Sequence, residues 1–113
     1  MNIEVINGEF VLPESTEQTD GSYSEAVQKM NQRIPELKEY VANELLEVLN
    51  STYLPNKKFT KEELLIALVP APSFIREDLT MGIHFDIEGG ELDGQIRIPT
   101  DKDGNFLGAH IDG

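Results

Sequence analysis

The chain contains no cysteine, which excludes disulfide bonds, thiol nucleophiles and cysteine-ligated metal sites. It also lacks a long apolar run. The longest one, residues 64–69, is far too short to span a bilayer, and no basic segment leading into an apolar stretch marks a secretory signal. We therefore expect a cytoplasmic protein.

The chain also contains few basic residues. Nine lysines and arginines stand against 21 aspartates and glutamates, so that the net charge is −12. A surface this acidic repels nucleic acids and anionic membranes, and we expect neither as a partner. Two explanations of the acidity remain open: it keeps the protein soluble, or it attracts a basic protein.

The first signal of a sheet is a hairpin in residues 3–12. Asn7-Gly8 stands there between two apolar runs, which is the strongest short-range indication of a two-residue turn. Such a turn places Val5 opposite Phe10, so that both side chains share one face of the sheet.

Three later segments, residues 81–88, 94–99 and 105–112, alternate apolar and polar residues and predict an antiparallel meander. A four-residue loop between the last two would place Ile98 opposite Leu107. The apolar face of this meander is expected to include Ile83, Phe85, Ile96, Ile98, Leu107 and Ile111.

Apolar residues recur every three or four positions from Tyr23 to Val48, at an average step of about 3.6 residues, which predicts a long amphipathic helix. Ser22 and Glu25 fit a capping box at its start. Pro35 removes one backbone hydrogen bond within this stretch. Because the apolar stripe continues in phase across Pro35, we expect one kinked helix rather than two.

A second capping box, Thr60 with Glu63, predicts a short helix. The apolar residues 64–69 that follow fit either a helix or a buried strand, and both alternatives stay open. The order of these parts predicts a single α+β domain, residues 1–113. Its antiparallel sheet, made of the N-terminal hairpin and the C-terminal meander, packs against one long kinked helix and a short helix.

The loop after the second meander strand resembles a calcium-binding loop. Asp101, Asp103, Asn105 and Asp112 occupy the first, third, fifth and twelfth positions of an EF-hand pattern. The sixth position requires glycine for a sharp bend, but it holds Phe106, and the flanking segments are strands rather than helices. We therefore interpret the segment as a turn and expect no metal there.

The polar face of the meander is a candidate for chemistry. Histidine, arginine and carboxylate side chains can form a metal site or an acid–base pair. The expected register places Asp86 opposite Arg97 as an ion pair and separates the two histidines, which weakens this interpretation. The residues concerned are His84, Asp86, Gln95, Arg97, His110 and Asp112.

The long helix carries an acidic ridge. Anions in the C-terminal half of a helix are disfavoured by the helix dipole, by roughly a few tenths of a kcal/mol each. Helix stability therefore does not explain the ridge, and it is either a solvated face or a docking surface. Its members are Glu36, Glu39, Asn43, Glu44 and Glu47.

The C-terminal half of the chain resembles a family of small acidic bacterial domains of unknown function. The similarity lies in the order of short motifs: Glu62-Glu63-Leu64-Leu65, His84-Phe85-Asp86, Glu91-Leu92-Asp93, Gln95-Ile96-Arg97-Ile98 and the Asp103-Gly104 turn. Such domains are similar in size and charge to bacterial toxin-immunity proteins. The resemblance implies a fold of this type and assigns no functional residue.

The sequence as a whole favours a non-enzymatic binding module without a cofactor, which engages a basic protein through the acidic ridge. In the light of the resemblance, that partner is a basic toxin. Two alternatives stay open. One is a small metal-binding or hydrolytic enzyme that uses His84, Asp86, Arg97 and His110. The other is a structural domain that associates with itself through a sheet edge or the long helix, and the sequence leaves its oligomeric state undetermined.

Overall fold

The computed structural model describes residues 1–13, 21–54, 58–90 and 92–112. Its helices and strands are β1 (Asn2–Ile6), β2 (Glu9–Val11), α1 (Ser22–Gln32), α2 (Ile34–Val48), a π-helical turn (Leu49–Tyr53), α3 (Lys61–Ala67), β3 (Leu68–Ile75), β4 (Met81–Ile87), β5 (Gln95–Thr100) and β6 (His110–Asp112). Within the described residues the strands form one open antiparallel sheet in the order β2-β1-β3-β4-β5-β6. The predicted α+β class is confirmed.

The N-terminal hairpin forms as predicted. Asn7 and Gly8 have φ angles of 52° and 78°, the two left-handed conformations that a type I′ turn requires. This turn sets the register that places Val5 opposite Phe10. The ring of Phe10 is buried and meets Phe85 edge-on, with 6.4 Å between ring centroids, so that the hairpin is joined to the meander through the core.

The predicted single kinked helix is wrong, because the chain forms two helices, α1 and α2. Arg33 lies between them with φ −103° and ψ 9°, outside the helical region. Pro35 lies in the first turn of α2, where its missing N–H costs no hydrogen bond. At the start of α1 the N-cap is Gly21, with φ 74°, and Ser22 is the first helical residue rather than the predicted cap.

The second capping box is confirmed. The Glu63 N–H donates to Thr60 Oγ1 at 3.2 Å, and the Thr60 N–H donates to Glu63 Oε1 at 2.9 Å. Residues 64–69 contain both a helix and a strand, since α3 runs through Ala67 and β3 begins at Leu68.

Strand β3 carries two prolines in the middle of the sheet. Pro70 and Pro72 are two positions apart, so their missing N–H groups belong to the same edge of the strand. β3 pairs with β1 only at Ser73 and Phe74, beyond both prolines, while its opposite edge pairs with β4 along most of its length. The prolines thus limit how far the N-terminal hairpin can pair with the sheet.

The meander forms, but its predicted register is wrong at two places. β4 and β5 place His84, and not Asp86, opposite Arg97. Beyond β5, Thr100 bridges to Phe106, so that the loop comprises residues 101–105 rather than four residues. The longer loop shifts every later residue relative to β5.

This shift moves Leu107 out of the predicted apolar face. Its side chain is 59% exposed, and the chain joins β6 only at His110, after Gly108 with φ 132°. Phe106 packs against the core instead and is partly buried. Its ring packs on Tyr40 of α2, with 5.1 Å between centroids, and lies 4.4 Å beneath the guanidinium of Arg33.

The core lies between α2 and one face of the sheet. Leu37 and Val41 of α2 are completely buried, while Ile34 and Ile111 are partly buried against the same cluster. The sheet residues that were predicted to be buried and are fully buried are Ile83, Phe85, Ile96 and Ile98. The alternate side chains of these strands point to the outer face of the sheet.

Candidate functional site

All five members of the predicted acidic ridge lie on α2 and are exposed, and we call this surface the α2 ridge. The opposite side of the same helix is buried through Leu37, Val41 and Leu45, so the ridge lies on the face turned away from the core. The ridge is therefore accessible to another molecule along the length of α2.

Basic side chains of the chain itself neutralise the N-terminal half of the ridge. Arg33 donates from Nε and Nη2 to the two carboxylate oxygens of Glu36, at 2.9 and 3.1 Å. This hydrogen bonding holds the pKa of Glu36 below its ordinary value. Glu39 pairs with Lys61 at the start of α3.

The C-terminal half of the ridge carries free charge. In the part of the chain that the structure describes, no ion pair involves Glu44 or Glu47. The last turn of α2 contains no basic residue that would complement the helix dipole. The free negative charge of the ridge is thus concentrated at Glu44 and Glu47.

The outer face of the sheet brings together residues that we expected to be separate. His84 of β4 lies opposite Arg97 of β5, and Arg97 lies opposite His110 of β6, so that the three form one row across three strands. The predicted ion pair with Asp86 is wrong. Arg97 instead donates from Nε to Oδ2 of Asp112 at 2.8 Å.

His84 is the half-buried member of this row. Its ring lies 6.0 Å from that of Phe74, and among the described residues Nδ1 is buried without a hydrogen-bond partner. Burial is the main cause that lowers the pKa of His84. Asp112 and the Pro72 carbonyl oppose it, and the weaker effects of Arg97 and Asp86 lower and raise the pKa, respectively. The neutral imidazole is therefore the favoured form.

Residues 101–105 form a turn, as predicted, although the loop is one residue longer than expected. The carboxylate of Asp101 accepts hydrogen bonds from the backbone N–H groups of Asp103 and Asn105, both at 2.9 Å, and from the side-chain amide of Asn105 at 3.0 Å. These bonds lower the pKa of Asp101. Across the described ranges, no three histidine or carboxylate side chains converge so that they could hold a metal ion.

A groove beside β6 is a feature that sequence reasoning missed. It is shallow, has a volume of about 350 Å³, and lies between the C-terminal end of α2 and the edge of the sheet. Leu45, Val48 and Tyr53 line it on the helical side. The residues that line it on the strand side are Arg97, Ala109, His110, Ile111 and Asp112. The π-helical turn contributes Tyr53, and no signal in the apolar periodicity distinguishes such a turn from ordinary helix.

Comparisons of this chain with protein-family models, with curated proteins and with solved structures find no match. Within the described residues, no helix has both the length and the apolar character needed to cross a membrane.

Proposed function

We propose that this chain is a non-enzymatic binding module of the cytoplasm that captures a basic protein through the C-terminal half of the α2 ridge. The observation that supports this function is the exposure of Glu44 and Glu47 without a neutralising cation in the described part of the chain. A net charge of −12 extends the same attraction over long range.

The position of the two carboxylates supports a partner over a purely solvated face. Near the C-terminus of α2 their charges oppose the helix dipole, whereas a docked lysine or arginine would be favoured both by the carboxylates and by the dipole. Complementary charge of this kind accelerates encounter and selects basic partners more than it adds affinity.

The finer form of the proposal is an immunity protein that blocks a basic toxin. It rests on the resemblance in size and acidity to bacterial immunity proteins, together with the free charge at Glu44 and Glu47. An inhibitor of this type works by covering the toxin, so the ridge needs only to be accessible and complementary in charge.

The outer face of the sheet supports a second candidate function, which is chemistry or anion binding at the row of His84, Arg97 and His110. A neutral imidazole beside a guanidinium can accept a proton from a substrate whose anionic group the guanidinium holds. The test is a titration with inorganic phosphate, followed by NMR. Shifts at these three residues that Arg97→Gln abolishes would support the candidate, and their absence would reject it.

The main proposal is tested by capture with two double variants of equal charge change. In Glu44→Lys/Glu47→Lys the free part of the ridge is reversed, whereas in Glu9→Lys/Glu77→Lys two exposed glutamates elsewhere are reversed. The proteins are immobilised and exposed to an extract of the cells that produce the chain, at low and at moderate salt. We expect a basic protein to be retained by wild type and by the Glu9/Glu77 variant and to be lost with the ridge variant.

Equal retention by both double variants would show that only total charge matters, and it would contradict the ridge as the site. Retention of no basic protein by the wild type would contradict the proposed function itself. Glu39 is left unchanged in this design, because a lysine at that position would face Lys61 and disturb the contact between α2 and α3.

A further inference from the structure

The two edges of the sheet differ in whether another part of the chain covers them. At the β2 edge, Asn31 of α1 binds the backbone of Phe10: the Phe10 N–H donates to Oδ1 at 2.7 Å, and Nδ2 donates to the Phe10 carbonyl at 2.8 Å. The side-chain amide thus occupies the positions that a further strand would use. A covered edge of this kind cannot accept another chain.

The β6 edge has no such cover in the described part of the chain. β6 is the last strand of the sheet, and its backbone forms hydrogen bonds to β5 on one side only. The groove beside it separates this edge from the end of α2. An open edge that borders a groove is the geometry by which a sheet accepts an extended peptide as an additional strand.

The π-helical turn shapes this groove. The Leu54 N–H donates to the Leu49 carbonyl at 2.8 Å, a bond that spans five residues rather than four. In an α-helix, Tyr53 would lie about 140° around the axis from Val48. The π-helical turn has more residues per turn, so the angle between the two side chains around the axis is smaller. Both side chains line the groove, and Tyr53 is 40% exposed.

Glu44 lies one helical turn before Val48, which lines the groove. Tyr40, Glu44 and Val48 are spaced four residues apart, so they form one line along α2. Tyr40 packs on Phe106, just before β6, and Val48 lines the groove, which places Glu44 on the same side of the helix. The opposite wall carries His110 and also Arg97, whose charge Asp112 neutralises.

We propose that the β6 edge is the docking site of an extended, basic segment of the partner protein, which adds to the sheet as a further strand. This inference rests on the proposed function and specifies how the basic partner is held. Side chains of an added strand point alternately to the two faces of the sheet. Those on the helical side meet the apolar side chains of Leu45 and Val48 in the groove. The carboxylate of Glu44 lies one helical turn before Val48 on the same side of α2. The segment is thus one in which an apolar and a basic residue follow each other at every second position.

The test uses a defined probe, a short synthetic peptide in which lysine and valine alternate at every second position, with threonine between them. Two further versions carry backbone N-methyl groups, one on all threonines and the other on all lysines and valines. An added strand turns only one set of N–H groups toward β6. We expect one methylated version to bind about tenfold or more weakly, since roughly two hydrogen bonds are lost, and the other to bind as the parent does.

Binding is followed by NMR of the labelled protein. We expect shifts at Ala109–Asp112 and at Val48 and Tyr53, and slower amide exchange in β6. Val48→Asp and Tyr53→Ala should each weaken binding of the peptide. Two variants are used so that the test still holds if one of them does not fold. Ile66→Asp is the matched control, because Ile66 is 76% exposed on α3, away from the groove.

Equal binding by both methylated peptides, with shifts confined to the α2 ridge, would overturn the strand-addition site and leave the proposed function standing. Failure of all three peptides to bind would also overturn the site, while the capture experiment decides the function separately. Sedimentation of the protein without peptide tests whether a second copy of the chain occupies the β6 edge. A dimer that shows NMR shifts at the β6 residues would mean that it does. That result would contradict a basic partner segment at this edge.

Discussion

The guanidinium of Arg97 on β5 donates from Nε to Oδ2 of Asp112 on β6 at 2.8 Å. This ion pair ties the short last strand to its neighbour on the outer face of the sheet. The hydrogen bond from Arg97 is the main cause that holds the pKa of Asp112 below its ordinary value.

The pH dependence of this pair follows from the sign of the shift. Because the pKa of Asp112 is lower in the folded state, its contribution to stability is fully present above the ordinary aspartate pKa. It is lost as the pH falls through the folded value. We expect Arg97→Gln to raise the pKa of Asp112, measured by NMR of its carboxyl carbon. An unchanged pKa would contradict the ion pair.

Phe85 and Leu107 were both predicted to lie on the buried face of the sheet, but only Phe85 lies there. Phe85 is completely buried, and we expect Phe85→Ala to reduce the free energy of unfolding by about 3–5 kcal/mol. Leu107 is 59% exposed, and Leu107→Ala should change that free energy by less than about 0.5 kcal/mol. Urea denaturation of both variants provides the comparison. A cost for Leu107→Ala similar to that of Phe85→Ala would show that the predicted four-residue loop is right.

Asn31 provides a test of the covered β2 edge. Asn31→Ala leaves the N–H and carbonyl of Phe10 without their partner, and we expect a loss of about 1–3 kcal/mol in the free energy of unfolding. Asn31→Asp keeps the acceptor for the Phe10 N–H but removes the donor, so it should recover only part of the loss. Wild-type stability of Asn31→Ala would mean that the amide does not hold the edge.

His84 links the stability of the fold to pH near neutrality. Its pKa is lower in the folded state, mainly through burial, so the unfolded chain binds more protons below the ordinary histidine value of 6.5. Stability is therefore full above that value and falls as the pH decreases through the folded pKa. We expect His84→Gln to remove this slope from thermal unfolding measured between neutral and mildly acidic pH. A slope that persists unchanged in the variant would assign it to other groups.

Local chemistry explains the parts of the fold that the sequence predicts well. Asn7 and Gly8 tolerate the left-handed angles of a tight hairpin, and Thr60 with Glu63 satisfies the first N–H groups of α3. In each case the residues that carry the signal also make the decisive contact. Such elements need no information from distant parts of the chain.

The predictions from the sequence are wrong where contacts between residues far apart in the chain determine the local structure. The break at Arg33 is held by a hydrogen bond from its side chain to the carbonyl of Gly104, far along the sequence. The loop before Phe106 is lengthened because Asp101 binds the backbone of its own turn, and this length then determines the register of β6. Apolar periodicity contains none of this information.

The same distinction applies to the candidate site. Exposure of the α2 ridge follows from helical periodicity, and the sequence predicts it. The neutralisation of Glu39 depends on the position of α3, which carries Lys61, and the groove depends on the π-helical turn beside β6. Which glutamates are free, and what lies next to them, therefore becomes known only from the packed structure.

The rate of association with the captured partner shows whether Glu44 and Glu47 attract it. The captured partner is mixed with wild type, Glu44→Lys/Glu47→Lys and Glu9→Lys/Glu77→Lys over a series of salt concentrations. For wild type and the Glu9/Glu77 variant we expect a fast rate that falls as salt rises, because salt screens the attraction. The ridge variant should associate slowly and with little dependence on salt. Equal rates and equal salt dependence for the two double variants would contradict this attraction.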